Sequence, residues 1–257
     1  MSESKISTDC LRAIVRDTKD ILLHPSAGRT VKGYADFVTD TDIAVQEAIV
    51  SALGKVFPDV PVLSEEMDSP HIPKGRFFVL DPLDGTTNHS MGFPMFAVSL
   101  AYVENGEVVA GVVYDPVRNE MFEASIGQGA TLNGNPVTCS SRRTLDESLI
   151  GIGTNPYNRN KTRRRFEQFG IIFDHVLDIR RTGSAALDLC YVGCGRLDAF
   201  YESGLKLWDY AAGMLIARES GASVTGTDGH DLGITLDASI IAGNVHLVKA
   251  ILGLVGD

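Results

Sequence analysis

The sequence predicts an α/β protein in two closely joined parts: an N-terminal α+β half with helices on an antiparallel sheet, then a half in which strands and helices alternate. Three observations carry that expectation. Two apolar stretches, Phe96 to Val103 and Val108 to Tyr114, are joined by Glu104-Asn105-Gly106-Glu107, and Asn-Gly at such a junction is a strong hairpin signal. Beyond about residue 140 the rhythm changes to short strand-like runs, Leu149-Ile150-Gly151-Ile152, Arg180-Arg181, Ala199-Phe200-Tyr201 and Ser239-Ile240-Ile241-Ala242, with helical stretches between them. No low-complexity linker or fixed-period repeat divides the 257 residues, so one domain over 1–257 is expected, made of parts at about 1–140 and 141–257.

Taken in order, Leu11, Ile14, Val15, Thr18, Ile21 and Leu22 recur at helical spacing and predict one amphipathic first helix. A second helix is expected to start at Thr39 or Asp40, either of which can cap it, and to run through Ile43, Val45, Ile49, Val50 and Leu53. Pro61-Val62-Leu63 reads as a short strand delivering Ser64-Glu65-Glu66, and Phe77-Phe78-Val79-Leu80 as a buried strand. A third strand of the meander is placed near Met121-Phe122-Glu123. Helices are placed near Lys161 to Phe173 and from Trp208 to Ser220, and Cys190 and Cys194 fall four apart on another.

Charge and composition exclude several function classes. Thirty-three acidic residues against 23 basic give a net charge of -10, which repels nucleic-acid backbones and argues against nucleic acid as the main ligand. No apolar run approaches the ~20 residues of a membrane span. The start Met1-Ser2-Glu3-Ser4-Lys5 has no apolar signal core behind it, so the cytoplasm is the expected location. The cysteines, Cys10, Cys139, Cys190 and Cys194, have neither a CxxC spacing nor a neighbouring histidine, so packing rather than zinc or a disulfide framework is expected of them.

The chemistry-bearing stretch is Val79-Leu80-Asp81-Pro82-Leu83-Asp84-Gly85-Thr86-Thr87-Asn88. An apolar strand here is expected to run into a proline-fixed turn, so that Asp81, Asp84 and the Leu83 carbonyl face one point; hard oxygen donors of that kind suit magnesium. Gly85 would let a ligand approach the backbone, and Thr86 offers a hydroxyl and an N–H at a possible helix start. Cation on one side and phosphate on the other is the simplest reading.

This decapeptide resembles the signature of the inositol monophosphatase family. Asp36-Phe37-Val38-Thr39-Asp40-Thr41-Asp42 and Ser64-Glu65-Glu66 precede it, and Trp208-Asp209-Tyr210-Ala211-Ala212-Gly213 follows, running on to Glu219-Ser220-Gly221-Ala222, all in the family's order. The resemblance covers nearly the whole chain. It implies a layered αβαβα sandwich, a magnesium-dependent and lithium-sensitive phosphomonoesterase with two or three ions per site, a small phosphate monoester as substrate, and a homodimer.

Residue by residue, the resemblance implies that Glu65, Asp81 and the Leu83 carbonyl hold one magnesium and that Asp81, Asp84 and Asp209 hold a second. Glu65 would activate the attacking water, with Thr86 and Asp42 in support. Asp84, Gly85, Thr86, Gly183, Ser184, Ala185 and Glu202 would contact substrate, Ser184 standing where threonine is commoner. Asp36 matches an optional third metal position and Lys32 a lysine on a loop over the site. Plainer readings stand beside these: Glu65 in a solvated acidic loop, Asp209 as a helix cap, Asp42 as a first-turn acid, Ser184 as a cap, Glu202 as an exposed strand end.

Two rival functions deserve comparison. The haloacid dehalogenase type of phosphatase needs Asp-x-Asp, two apart, whereas Asp81 and Asp84 are three apart and follow a glutamate. A non-catalytic binding protein on this fold would have no physical need of all the hydrolytic residues. The run Arg163-Arg164-Arg165 has no aromatic platform and reads as a solvated surface, and His71, His89, His175, His230 and His246 show no ligand spacing, with only His89 near enough to line the rim of the site. Inositol 1-phosphate leads the candidate substrates, ahead of fructose 1,6-bisphosphate, a nucleotide bisphosphate and histidinol phosphate.

Overall fold

A computed structural model of the chain describes residues 6–24, 28–33, 36–67 and 71–256, and of Asp36 the backbone alone. Along the chain run α1 (Thr8–Arg16), α2 (Lys19–Leu23), β1 (Arg29–Gly33), β2 (Asp36–Thr39), α3 (Asp40–Val56), β3 (Val62–Ser64), β4 (Arg76–Asp84), α4 (Thr86–Ser90), β5 (Ala97–Glu104), β6 (Glu107–Asp115), β7 (Glu120–Ser125), β8 (Ala130–Leu132) and β9 (Asn135–Val137). The second part holds β10 (Leu149–Ile152), α5 (Thr162–Phe173), β11 (Asp178–Arg180), α6 (Ala185–Gly193), β12 (Ala199–Lys206), α7 (Leu207–Glu219), β13 (Ser223–Gly226), β14 (Asp237–Gly243) and α8 (Val245–Val255).

These elements form five layers. A sheet in the order β3-β4-β5-β6-β7-β8-β9 is parallel only between β3 and β4, and a mixed sheet in the order β11-β10-β12-β14-β13 lies beyond it. Helices α1 and α3 bury Leu11, Val15, Val45 and Ile49 against one face of the first sheet, at Phe78, Leu80 and Leu100. Helices α6 and α7 fill the space between the two sheets, where Leu187, Leu189, Ala211 and Ile216 share a core with Phe77, Val79, Phe200 and Ile240. Helices α5 and α8 cover the outer face of the second sheet through Phe169, Ile172, Leu247 and Ile251. Every residue of α6 is buried, as a helix packed on both sides requires.

The hairpin read from Asn105-Gly106 is present, with both residues at positive φ (53° and 82°) as the tight turn demands. The first helix departs from expectation: it is two helices, α1 and α2, because the Thr18 hydroxyl donates to Val15 O at 2.7 Å and the turn tightens there. The basic run is not wholly solvated either. Arg163 is exposed, but Arg165 is only 4% exposed and donates to Ser203 Oγ and to Asn158 O. His89 is buried against Leu22 O and Phe96 and lines no rim.

A candidate phosphate and metal cleft

A cleft of about 670 Å³ opens where the ends of β3, β4 and β12 meet the starts of α4, α6 and α7. Its first wall is the end of β4. Side chains three apart on a regular strand point to opposite faces, yet Asp81 and Asp84 both reach the cleft. The reason is a β-bulge: Asp81 pairs with Ser99 and Asp84 with Ala97, so β4 carries one extra residue between them. The structure thus replaces the expected proline turn with a bulged strand, a position that tolerates Pro82. Leu83 N donates to Asp81 Oδ1 at 2.9 Å.

After the bulge, Gly85 takes φ 93° and caps α4. A Cβ there would stand 2.9 Å from Met95 O, so the glycine is required by its own backbone neighbours rather than by ligand approach, although it does line the cleft. Thr86 follows at the first turn of α4. Its hydroxyl reaches Leu83 O at 3.0 Å and Asp42 Oδ1 at 3.2 Å. Asp42 Oδ2 accepts Thr39 N at 2.8 Å and the Thr39 hydroxyl, completing a capping box on α3. Asp42 is therefore a first-turn acid and a partner of Thr86 at once.

Glu65 follows β3, and Glu65 N donates to Leu80 O at 3.2 Å, which ties the acidic turn to β4. Asp209 sits in the first turn of α7, accepting Lys206 N at 2.7 Å; it caps from inside the helix, because the helix starts at Leu207. That end is pinned to the first sheet by Ser99 Oγ, which donates to Trp208 O at 3.1 Å. Across the cleft, Ser184 Oγ at 2.6 Å and Ala186 N at 2.8 Å both donate to Asp84 Oδ2, and Ser184 also caps α6. Gly183, Ser184 and Ala185 all line the same space.

Electrostatically the site is overloaded with negative charge. Burial first, and then neighbouring acids, push Glu65, Asp81 and Asp209 well above the usual carboxylate range. Asp84 is pushed up to about 6 by burial, opposed by the bonds from Ser184 and Ala186 and by Arg181. Lys32 lines the cleft in an ion pair with Glu66, and the Asp36 side chain lies outside the described residues.

The far end of the cleft holds Glu202, expected from the sequence, together with residues beyond the sequence reading. Glu202 is 8% exposed rather than a solvated strand end, and Asn155 N donates to its Oε1 at 3.1 Å. Burial pushes it up to about 7. Gly153 leaves the space that this carboxylate fills, since a Cβ there would fall 1.8 Å from it. Asp188, on α6, is 1% exposed; its Oδ2 accepts the Thr182 hydroxyl at 2.7 Å, while Oδ1 has no partner. An acid inside the otherwise apolar run Ala185-Ala186-Leu187-Asp188-Leu189 was the signal available in the sequence. Arg181 and Tyr157 also line the cleft.

Among the described residues no three His, Cys, Asp or Glu side chains are arranged to hold a metal ion as they stand. The donor chemistry nevertheless fits a hard cation. Glu65, Asp81, Asp84 and Asp209 are all oxygen donors on one cleft, and the bonds described above leave Asp81 Oδ2, Asp84 Oδ1 and Asp209 Oδ1 outside them. Side-chain rotation toward an ion would relieve the repulsion that now raises their proton affinities.

Comparison with known proteins agrees with this architecture. The sequence profile of the inositol monophosphatase family matches residues 9–255. Nus factor SuhB of Escherichia coli strain K12 is 42% identical over 229 residues, covering 88% of this chain and 85% of that protein. The crystal structure of extragenic suppressor protein SuhB from Bartonella henselae superposes with a TM-score of 0.89 at 34% identity, over 96% of this chain and 97% of that one. The Thermotoga maritima IMPase gives a TM-score of 0.86 at 34% identity, over 96% of each chain. With its layered fold and with residues 9–255 matched by the family profile, this chain belongs to the inositol monophosphatase family.

Proposed function

We propose that the protein hydrolyses a small phosphate monoester, inositol 1-phosphate foremost, in a Mg²⁺-dependent reaction with no phosphoenzyme. Members of the family generally use Mg²⁺. The observation that carries the proposal is the meeting of Glu65, Asp81, Asp84 and Asp209, from three separate segments, on the cleft that also contains Thr86. Glu65, Asp81 and the Leu83 carbonyl would hold one ion, and Asp81, Asp84 and Asp209 a second. Bound Mg²⁺ would supply charge neutralisation for the phosphate and a lowered pKa for an attacking water.

The chain's own residues do the positioning. Thr86 donates its hydroxyl hydrogen bond to Asp42 or to Leu83 O, which turns the oxygen's lone pairs toward a water in the cleft. Glu65 then takes that water's proton. Ser184, with Gly183 and Ala185, holds Asp84 in place beside the substrate, and Glu202 accepts hydroxyls of the alcohol part. Lithium inhibition and a homodimer belong to the same proposal, checked by steady-state kinetics and by sedimentation.

Phosphate release from inositol 1-phosphate, fructose 1,6-bisphosphate, a nucleotide bisphosphate and histidinol phosphate, with Mg²⁺ and then with a chelator, tests the reading. No release from any of them overturns it. The name Nus factor borne by curated relatives favours a second reading, a regulatory binding protein on this fold, to which that outcome would point.

A further inference from the structure

Tyr157 sits in the segment 153–158, which leaves the end of β10 and lines the cleft. Its side chain is 56% exposed, as a loop residue's can be. Its hydroxyl pKa is nevertheless pushed up, first by burial and then by Glu65, Asp209, Asp84 and Asp81, so it lies near those acids. Tyr157 thus lines the cleft with part of its surface in solvent and its hydroxyl near the acids. Among the described residues that hydroxyl has no hydrogen-bond partner.

The loop is anchored on both sides of Tyr157. Before it, Asn155 donates from Nδ2 to Ser203 O at 3.1 Å and to Gly204 O at 2.9 Å, and from its backbone N to Glu202 Oε1. After it, the buried Arg165 holds Asn158 O through Nη1, at 2.5 Å, and Ser203 Oγ through Nε, at 3.0 Å. Pro156 fixes the backbone just ahead of the ring. A tyrosine with only a surface role would turn its polar end to water; here the polar end lies near the acids without a hydrogen bond to any of them, and an undissociated phenol there still has its proton to donate.

We propose that Tyr157 is a substrate-contacting residue whose hydroxyl donates a hydrogen bond to a phosphate oxygen of the bound monoester, while its ring covers the mouth of the cleft. This rests on the phosphomonoesterase reading and adds to it a phosphate contact carried by a loop that also touches Glu202. Because the loop hangs from Glu202 through Asn155 N, phosphate and alcohol recognition share one anchor.

The test uses inorganic phosphate as the probe, titrated by calorimetry into the full-length protein with Mg²⁺ present. Tyr157→Phe keeps the ring and removes the donor, so it should weaken phosphate binding about tenfold or more, the worth of a hydrogen bond to a charged group. KM for an accepted monoester should rise by the same factor, with Tm unchanged. Tyr157→Ala should weaken phosphate binding at least as much. Phosphate binding by Tyr157→Phe equal to that of the wild type, or none by the wild type itself, overturns the proposal. A wild type that binds phosphate but hydrolyses no monoester sinks the functional reading instead, and the calorimetric comparison still decides the role of Tyr157.

Discussion

The hydroxyl of Thr86 stands 3.2 Å from Asp42 Oδ1, joining the first turn of α4, on the cleft, to the buried first turn of α3. Because Asp42 Oδ2 is occupied by Thr39, an asparagine at 42 would keep its oxygen there and turn its amide toward Thr86, reversing the polarity of the contact. Thr86→Ala and Asp42→Asn should therefore each lower kcat on the order of 10²-fold and leave KM nearly unchanged. The double variant should lose much less than the product of the two, since the residues act as a unit. Steady-state kinetics of the three variants check this; multiplicative losses would show that Glu65 alone serves the water.

Gly153 and Glu202 make a second dependence. Alanine at 153 would put a methyl into the space of the Glu202 carboxylate, which lies 1.8 Å from the ideal Cβ position. The carboxylate must then swing away and leave Asn155 N behind. Gly153→Ala should lower kcat/KM for a polyhydroxylated monoester about tenfold, the order of one lost hydrogen bond to a charged group. The same variant should change little toward a monoester with a plain alkyl leaving group. Equal losses on both substrates would show a general collapse of the loop.

Much of this was legible in the sequence because local signals and burial agree. Asn105-Gly106 names its own turn, and the apolar runs of β4, β5 and β6 are the core strands. The residues that line the cleft from the first half were found because Asp81, Asp84 and Thr86 lie within six positions of one another. What stayed hidden depends on distant contacts. The bulge at Pro82 exists only by reference to β5, and the space at Gly153 only by reference to β12. Arg165 looked like surface charge because its partners, Ser203 and Asn158, are set by the fold. Tyr157 carries no local pattern at all, and Asp188 only that of a lone acid in an apolar run; their meaning is their position in the cleft.

The raised carboxyls make the metal-free protein less stable as pH rises. Asp84 is raised from 3.8 to about 6 and Glu202 from 4.5 to about 7, both chiefly by burial. Between the unfolded and folded values the native state holds protons that the unfolded chain has released, so stability falls as pH rises through that window. Below about pH 4 this cost is absent, and above about pH 7 it is complete. Without divalent cations, Tm should thus fall between about pH 5 and about pH 8, and Mg²⁺ should raise it more at the upper end, where its ligands need no deprotonation. Thermal unfolding at both pH values, with and without Mg²⁺, measures this; a flat metal-free Tm would contradict it.

Asp84 separates folding from cation binding most cleanly. Both of its structural donors, Ser184 Oγ and Ala186 N, converge on the single oxygen Oδ2. An asparagine can place its carbonyl oxygen there and keep both bonds, with the amide nitrogen replacing Oδ1. What is lost is the negative charge, and that charge is unfavourable in the metal-free cleft, where Asp84 raises the proton affinities of Asp81 and Asp209. Asp84→Asn should therefore fold normally and show a metal-free Tm at or above that of the wild type at neutral pH. Its rise in Tm on adding Mg²⁺ should shrink or vanish, because the carboxamide NH2 has no charge and no available lone pair to offer a hard cation. Turnover should be abolished alongside. A variant that keeps both the Mg²⁺-induced rise and near-wild-type turnover at limiting Mg²⁺ would exclude Asp84 from the ligand set and with it the two-ion assignment.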